Sequence, residues 1–251
     1  MRVARFSRDG VLAYGIVDED ELVVLDGHPL LNDYKTTGER LPLSQVKLVA
    51  PTLPSKVVCV GLNYAEHAAE ADLAVPAEPA LFLKPSSSVV GHGDSIVWPP
   101  QTERVDMEVE LAIVIGAVAK NVTEADAPSV IWGFTIANDV SARDLQASDV
   151  QWMRAKGFDT FCPLGPWIET DFVPANQRIY GVINDKEVQA STLGDMIFKP
   201  YYLVSYISQQ MTLLPGDVIL TGTPAGYKKL RKGDSVQCLV EGIGALASTV
   251  S

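Results

Sequence analysis

The chain has 251 residues, 47% of them apolar and 20% charged, the balance of a globular protein able to bury a core of its own. Lys and Arg number 20 against 31 Asp and Glu, and the formal charge of −11 argues against nucleic acid or an anionic membrane as partner. The same charge repels a small anionic substrate at long range, so a site for one needs positive charge of its own.

The first fifty residues read as a short β-meander. MRVARFS, VLAYGIV and ELVVLDG are strand-like, with Ser7-Arg8-Asp9-Gly10 and Asp18-Glu19-Asp20 supplying turns between them. Pro51-Thr52-Leu53-Pro54 breaks the pattern, so the expected division is a small N-terminal β subdomain over 1–50 and a larger domain over 51–251. Beyond the break, KVVCVGLN is a buried-strand run that leads into a helical stretch from Asn63 to Ala71. ALFLKP, SIVWPP and MEVELAIVIG follow as strands, and Thr123 with Asp126 three residues on forms a capping pattern. VIWGFTIANDV, GPWIET, IYGVIND and DVILTGTPAG are further strands, and MIFKPYYLVSYISQQM is an amphipathic helix. Strands dominate without regular βα alternation, which predicts a β-rich α+β fold and not a Rossmann or TIM arrangement.

Cys59, Cys162 and Cys238 are far apart and form no CxxC pair, as expected of structural thiols in a reducing compartment. The opening residues lack the apolar run of a signal peptide, and no stretch approaches the ~18 apolar residues of a membrane span. The expectation is a cytoplasmic protein.

The stretch Met107-Glu108-Val109-Glu110-Leu111-Ala112-Ile113-Val114-Ile115 carries the strongest chemical signal. On a strand, Met107, Val109, Leu111, Ile113 and Ile115 share one face. Glu108 and Glu110 share the other, about 7 Å apart by strand rise, with Ala112 and Val114 beyond them. Two carboxylates in a covered space repel unless a cation neutralises them, whereas on an open sheet face they would simply be solvated. Asp139 ends a second apolar strand and is followed by Ser141 and Arg143; it reads either as a site residue or as a helix cap. Three carboxylates without His or Cys suit a hard ion such as Mg²⁺ or Mn²⁺. His67 and Glu70 lie three apart on the helical stretch, where a carboxylate can orient an imidazole as general base or the pair can be mere surface decoration. Lys156, flanked by Trp152 and Phe158, reads by itself as a surface lysine.

Together these stretches resemble the fumarylacetoacetate hydrolase family. The resemblance rests on Gly61-Leu62-Asn63-Tyr64-Ala65-Glu66-His67, Leu81-Phe82-Leu83-Lys84-Pro85 and Glu108-Val109-Glu110-Leu111-Ala112. It continues in Asn138-Asp139-Val140-Ser141-Ala142-Arg143-Asp144, Lys156-Gly157-Phe158-Asp159 and Thr221-Gly222-Thr223-Pro224, in the family's order. It implies a mixed β-sandwich roll, usually a homodimer, with Glu108, Glu110 and Asp139 binding Mg²⁺ or Mn²⁺. It further implies a water-activating His67–Glu70 dyad on a lid, Lys156 in the site, and Arg143 and Thr223 as substrate or supporting contacts.

The implied activity is hydrolysis of a C–C bond in a small acylpyruvate, an anionic 2-oxo acid, with release of pyruvate through a stabilised enolate. Oxaloacetate decarboxylation and isomerisation of 2-hydroxyhepta-2,4-diene-1,7-dioate share that enolate and are the alternatives. A protein that keeps the metal only as a brace is the non-catalytic alternative. Lys84, Arg104 and Arg143 are the candidates to meet a distal carboxylate, and residues 71–80 are expected on the lid.

Overall fold

The computed structural model describes residues 1–31 and 33–251. Its largest sheet is built from twelve strands. In hydrogen-bonded order its main path runs Asp33–Pro42, Glu21–His28, Val11–Asp18, Arg2–Arg8, Cys162–Glu169, Ile131–Asn138, Val109–Ile115, Val218–Leu220, Val57–Gly61 and Ala80–Lys84. Most neighbours are antiparallel, but Val218–Leu220 runs parallel to Val57–Gly61, so the sheet is mixed. A five-stranded sheet, Lys186–Thr192, Arg178–Ile183, Ser235–Val240, Gly244–Val250 and Ser95–Ile96, packs against its centre. The fold is β-rich α+β, as expected.

Local chemistry explains the hairpins. Asp9 and Gly10 take φ of 53° and 82°, and Asn184 and Asp185 take 49° and 63°. Two consecutive left-handed residues of these types make the tight turn whose twist matches the flanking strands. The N-terminal strands bury a small cluster of their own, Ala4, Phe6, Val17, Leu22, Val24 and Leu41. They join the rest of the sheet where Arg2 and Val3 pair with Glu169 and Ile168.

The central strand Val109–Ile115 is buried along its whole length. Its alternation sorts two cores. Val109, Leu111, Ile113 and Ile115 enter the large core, which the five-stranded sheet and the helix Pro200–Gln210 close with Ile179, Val236, Leu203 and Ile207. Ala112 and Val114 enter a second core with Val57, Cys59, Leu164 and Leu220. The helix begins with Pro200 at its first turn, where the missing N–H costs nothing. All three cysteines are buried and free, and burial pushes the Cys162 thiol up to about 12, so these are inert packing groups.

Candidate active site

Two antiparallel strands assemble the acidic floor. Val109 pairs with Asn138 and Glu110 with Ala137, so the end of Ile131–Asn138 arrives beside Glu108. Asp139 N–H donates to the Glu108 carbonyl at 2.9 Å, and Glu108 N–H donates to Asn138 Oδ1 at 2.9 Å. These bonds lock the handover where the chain leaves the short strand Val105–Met107 and enters Val109–Ile115. Carboxylate oxygens of Glu108, Glu110 and Asp139 lie within 4.8 Å of one another, all buried.

Positive charge is supplied from three directions. Lys156, at the end of the helix Met153–Lys156, donates to Glu108 Oε2 at 2.8 Å and Asp139 Oδ2 at 2.6 Å. It is 2% exposed, so the surface reading of this lysine is corrected: tertiary packing carries it into the site. Arg143 Nη2 donates to Glu108 Oε1, its Nη1 to Gln146 Oε1 at 2.6 Å and its Nε to Asp106 Oδ2 at 2.9 Å. Lys84 lies behind the floor. Its ammonium donates to the carbonyls of Val140, Lys156 and Phe161 at 3.0, 2.6 and 2.7 Å, and stands 2.8 Å from Asp139 Oδ1. With its hydrogens so committed, Lys84 does not face a substrate. Arg104 is held by both oxygens of Asp106, at 3.1 Å each.

The electrostatics divide the two glutamates. Burial opposes charge on Glu108, but Lys156 and Arg143 outweigh it and hold the carboxyl well below the usual range. Glu110 has no such partner. Burial, then the charges of Asp139 and Glu108, push its carboxyl well up, and its one strong donor is Gly222 N–H at 2.5 Å. That donor depends on glycine: φ is +98°, and a Cβ would stand 2.6 Å from Asn63 Cβ. Burial works against the charge on Lys156 as well, yet Asp139 and Glu108 raise its pKa, so it stays protonated.

These residues fit a divalent metal. Three buried carboxylates converge here, Asp139 Oδ1 meets only the Lys84 ammonium, and burial with two neighbouring carboxylates opposes charge on Glu110 unless a cation offsets it. An all-oxygen donor set selects a hard ion.

The helix Ala65–Glu70 brings His67 into the same cavity as the carboxylates. Asn63 anchors its root, donating from Nδ2 to the carbonyls of Phe198 and Thr221 at 2.9 and 2.6 Å and accepting from Phe198 N–H at 2.7 Å. His67 is 7% exposed, and its Nδ1 is buried with no hydrogen-bond partner. Burial lowers its pKa, so the ring is neutral at pH 7. Glu70 Oε2 stands 3.8 Å from that Nδ1 and instead accepts from Gly226 N–H at 2.8 Å. The two dyad residues are neighbours without a hydrogen bond.

One small cavity of about 60 Å³ is lined by His67, Glu108, Glu110, Asp139, Arg143, Lys156 and Thr223. Thr223 Oγ1 accepts from Gln189 Nε2 at 2.9 Å, and Gln189 Oε1 accepts from Val109 N–H at 3.0 Å, so Thr223 is braced against the floor strand. Of the candidate site residues singled out in the sequence, Glu70, Lys84 and Arg104 stand outside the lining. Gln146, Phe82, Trp152 and Leu73 complete the walls. Gln146 was signalled only by standing one helical turn after Arg143; the apolar wall had no polar signature to reveal it.

Residues 56–251 match the fumarylacetoacetate (FAA) hydrolase C-terminal family, and residues 1–51 match the Rv2993c-like N-terminal family. The chain belongs to the fumarylacetoacetate hydrolase family. It is 48% identical over 223 residues to the human protein named oxaloacetate tautomerase FAHD2A, mitochondrial, covering 84% of this chain and 71% of that one. The structure of 5-carboxymethyl-2-hydroxymuconate delta-isomerase from Mycobacterium smegmatis superposes with a TM-score of 0.93 at 44% identity, covering 100% of this chain and 99% of that one. That of maleylpyruvate hydrolase from Sphingobium sp. SYK-6, in complex with manganese(II) and pyruvate, superposes with a TM-score of 0.82 at 30% identity, covering 100% and 98%. Among the described residues, no helix is long and apolar enough to cross a membrane.

Proposed function

We propose that this chain is a metal-dependent enzyme that moves a proton at C3 of a small 2-oxo acid, with the keto–enol interconversion of oxaloacetate as its first candidate reaction. The observation that carries the reading is a neutral, buried imidazole with an unpartnered nitrogen, His67, enclosed in one cavity with three carboxylates and Lys156. Mg²⁺ or Mn²⁺ held by Glu108, Glu110 and Asp139 would supply a Lewis acid that lowers the energy of negative charge on the 2-oxo oxygen. Lys156 and Arg143 offset the substrate's charge, the local need that the −11 chain creates. His67 takes the proton from C3 and returns it to oxygen. One C–H bond breaks, one O–H bond forms, and no water is consumed. Relatives named tautomerase and isomerase support proton transfer as the shared step.

Hydrolysis of an acylpyruvate is the second reading. It is favoured by Glu70, which a shift of about 1 Å from its 3.8 Å separation would bring into hydrogen-bond range of His67 Nδ1 to form a water-activating pair. The relative named maleylpyruvate hydrolase supports it. It stands second because the cavity is small and the pair is not joined. Decarboxylation of oxaloacetate would pass through the same enolate. As part of this reading we take the protein to be cytoplasmic, consistent with its free thiols, and a homodimer, consistent with exposed Leu83, Val150 and Met153 near the open sheet edge Ala80–Lys84.

The test follows enol decay and pyruvate release separately, with oxaloacetate and with acetylpyruvate, under Mg²⁺, Mn²⁺ and EDTA. Accelerated enol–keto exchange that EDTA and H67Q abolish is the expected result. Pyruvate from acetylpyruvate alone overturns it in favour of hydrolysis, and pyruvate from oxaloacetate alone in favour of decarboxylation.

A further inference from the structure

Tyr227 lies in the loop between Thr223 and the short strand Lys228–Lys229, outside every motif that the sequence singled out. It is half-buried, and its ring is held from two sides. The Arg143 guanidinium carbon stands 4.1 Å from the ring centroid. The His67 ring meets it edge-on, centroids 5.5 Å apart and planes at 89°. A cation prefers the negative face of an aromatic ring, and a second ring packs well edge to face, so one side chain serves both neighbours.

The loop that carries the ring is itself fixed. Gly226 N–H donates to Glu70 Oε2 at 2.8 Å, which ties the loop to the far end of the lid helix. Gly226 takes φ of +96°, and a Cβ there would stand 2.4 Å from the Val188 carbonyl oxygen, so the loop packs hard on its neighbour strand. The lid is thereby joined to this loop twice, by Glu70 to backbone and by His67 to Tyr227. Arg143 in turn reaches the floor through Glu108 and Asp106.

We infer that Tyr227 is a positioning residue whose ring fixes His67 on the lid and Arg143 on the floor relative to each other, making lid seating and guanidinium placement a single event. The inference rests on the proposed role of His67 as base and deepens it by naming what aims that base. The contacts use the face and edge of the ring and not the hydroxyl, so phenylalanine can replace tyrosine here and an aliphatic side chain cannot.

The experiment compares Y227F and Y227L by hydrogen exchange over residues 65–73, with Mg²⁺ alone and with Mg²⁺ plus oxalate, a planar dianion shaped like pyruvate enolate. Wild type and Y227F are expected to slow exchange in the lid when oxalate is added, and Y227L to show no slowing. Mg²⁺ affinity, measured by calorimetry, is expected to stay within about twofold in Y227L, because Tyr227 lies against Arg143 and His67 and not against the carboxylates. Turnover in Y227L is expected to fall about tenfold in kcat with a smaller change in KM, the scale of losing one desolvated cation–π contact, and Y227F to rescue it. If Y227L does not fold, Y227Q keeps a polar side chain without the ring and replaces it. Wild-type lid protection in the ringless variant overturns the inference, as does a Y227F variant as impaired as Y227L. If the wild-type protein turns over neither substrate, the proposed reaction fails while the exchange measurement still decides the role of Tyr227.

Discussion

At the scale of single residues, the acid–base behaviour of His67 follows from what faces it. Burial is the largest influence and favours the neutral ring; the charge of Glu108 opposes it, while Arg143 and Lys156 reinforce it. The pKa therefore lies below the ordinary histidine value near 6.5. A base must be unprotonated to act, so in the proposed role of His67 activity is expected at neutral pH and expected to be lost as pH falls through this depressed value. The kcat/KM profile is expected to show an acid limb below 6.5 that disappears from the residual rate of H67Q, and a limb above 6.5 would mean that the ring is stabilised as a cation instead. Folding stability runs the same way: the unfolded chain binds the proton first, so the contribution of a neutral His67 is lost as acid is added. Glu110 differs in kind. Burial and the neighbouring carboxylates raise its pKa, so a divalent ion binding there competes with a proton.

At the scale of elements, Lys84 shows how pieces of chain are held at the floor. It ends the strand Ala80–Lys84 and binds carbonyls of three other segments, at Val140 between two strands, at Lys156 ending a helix and at Phe161 just before Cys162–Glu169. Replacing it by methionine would leave three buried carbonyls and Asp139 without their cation. K84M is expected to cost about 3–5 kcal/mol in urea unfolding, and a loss below about 1 kcal/mol would show that the ammonium is dispensable. Much of this architecture was legible in sequence. The alternation from Met107 to Ile115 foretold both faces of the central strand, and an acid closing an apolar run marked Asp139. DVILTGTPAG reads as a longer strand than forms, since only Val218–Leu220 pairs. Beyond it the chain leaves the ladder to present Gly222 N–H to Glu110, a demand of the site that periodicity does not carry. Asp33–Pro42 gave no alternation because most of it is exposed. The short helices Arg143–Ser148 and Met153–Lys156 have no side-chain cap at either N-terminus and depend on tertiary bonds. The helix expected over Asn63–Ala71 forms over the shorter span Ala65–Glu70, because the Asn63 side chain is spent on the Thr221 carbonyl and Tyr64 is extended.

At the scale of the whole molecule, a charge of −11 sets the field through which the proposed anionic substrate would approach. Arg143 and Lys156 are already paired with carboxylates, so they offset charge locally and project little of their own. Raising ionic strength from about 0.01 to 0.15 M shortens the screening length from about 30 to 8 Å. It is expected to raise kcat/KM for dianionic oxaloacetate by about two- to threefold, with a smaller rise for a monoanionic 2-oxo acid; an unchanged or falling value would mean that the cavity draws anions in by itself. The separation of floor from rim has a consequence for descent. Glu110 lies within a strand buried along its whole length, and Glu108 and Asp139 stand at the strand ends beside it, so an altered backbone there disturbs packed core. Much of the wall comes from the helix that carries His67, the stretch around Gln146 and Trp152, and Thr223, and none of these lining residues belongs to either core cluster. Packing thus holds the acidic floor in place while the walls stay free to vary, so a lineage can change what the cavity admits without relearning how to fold.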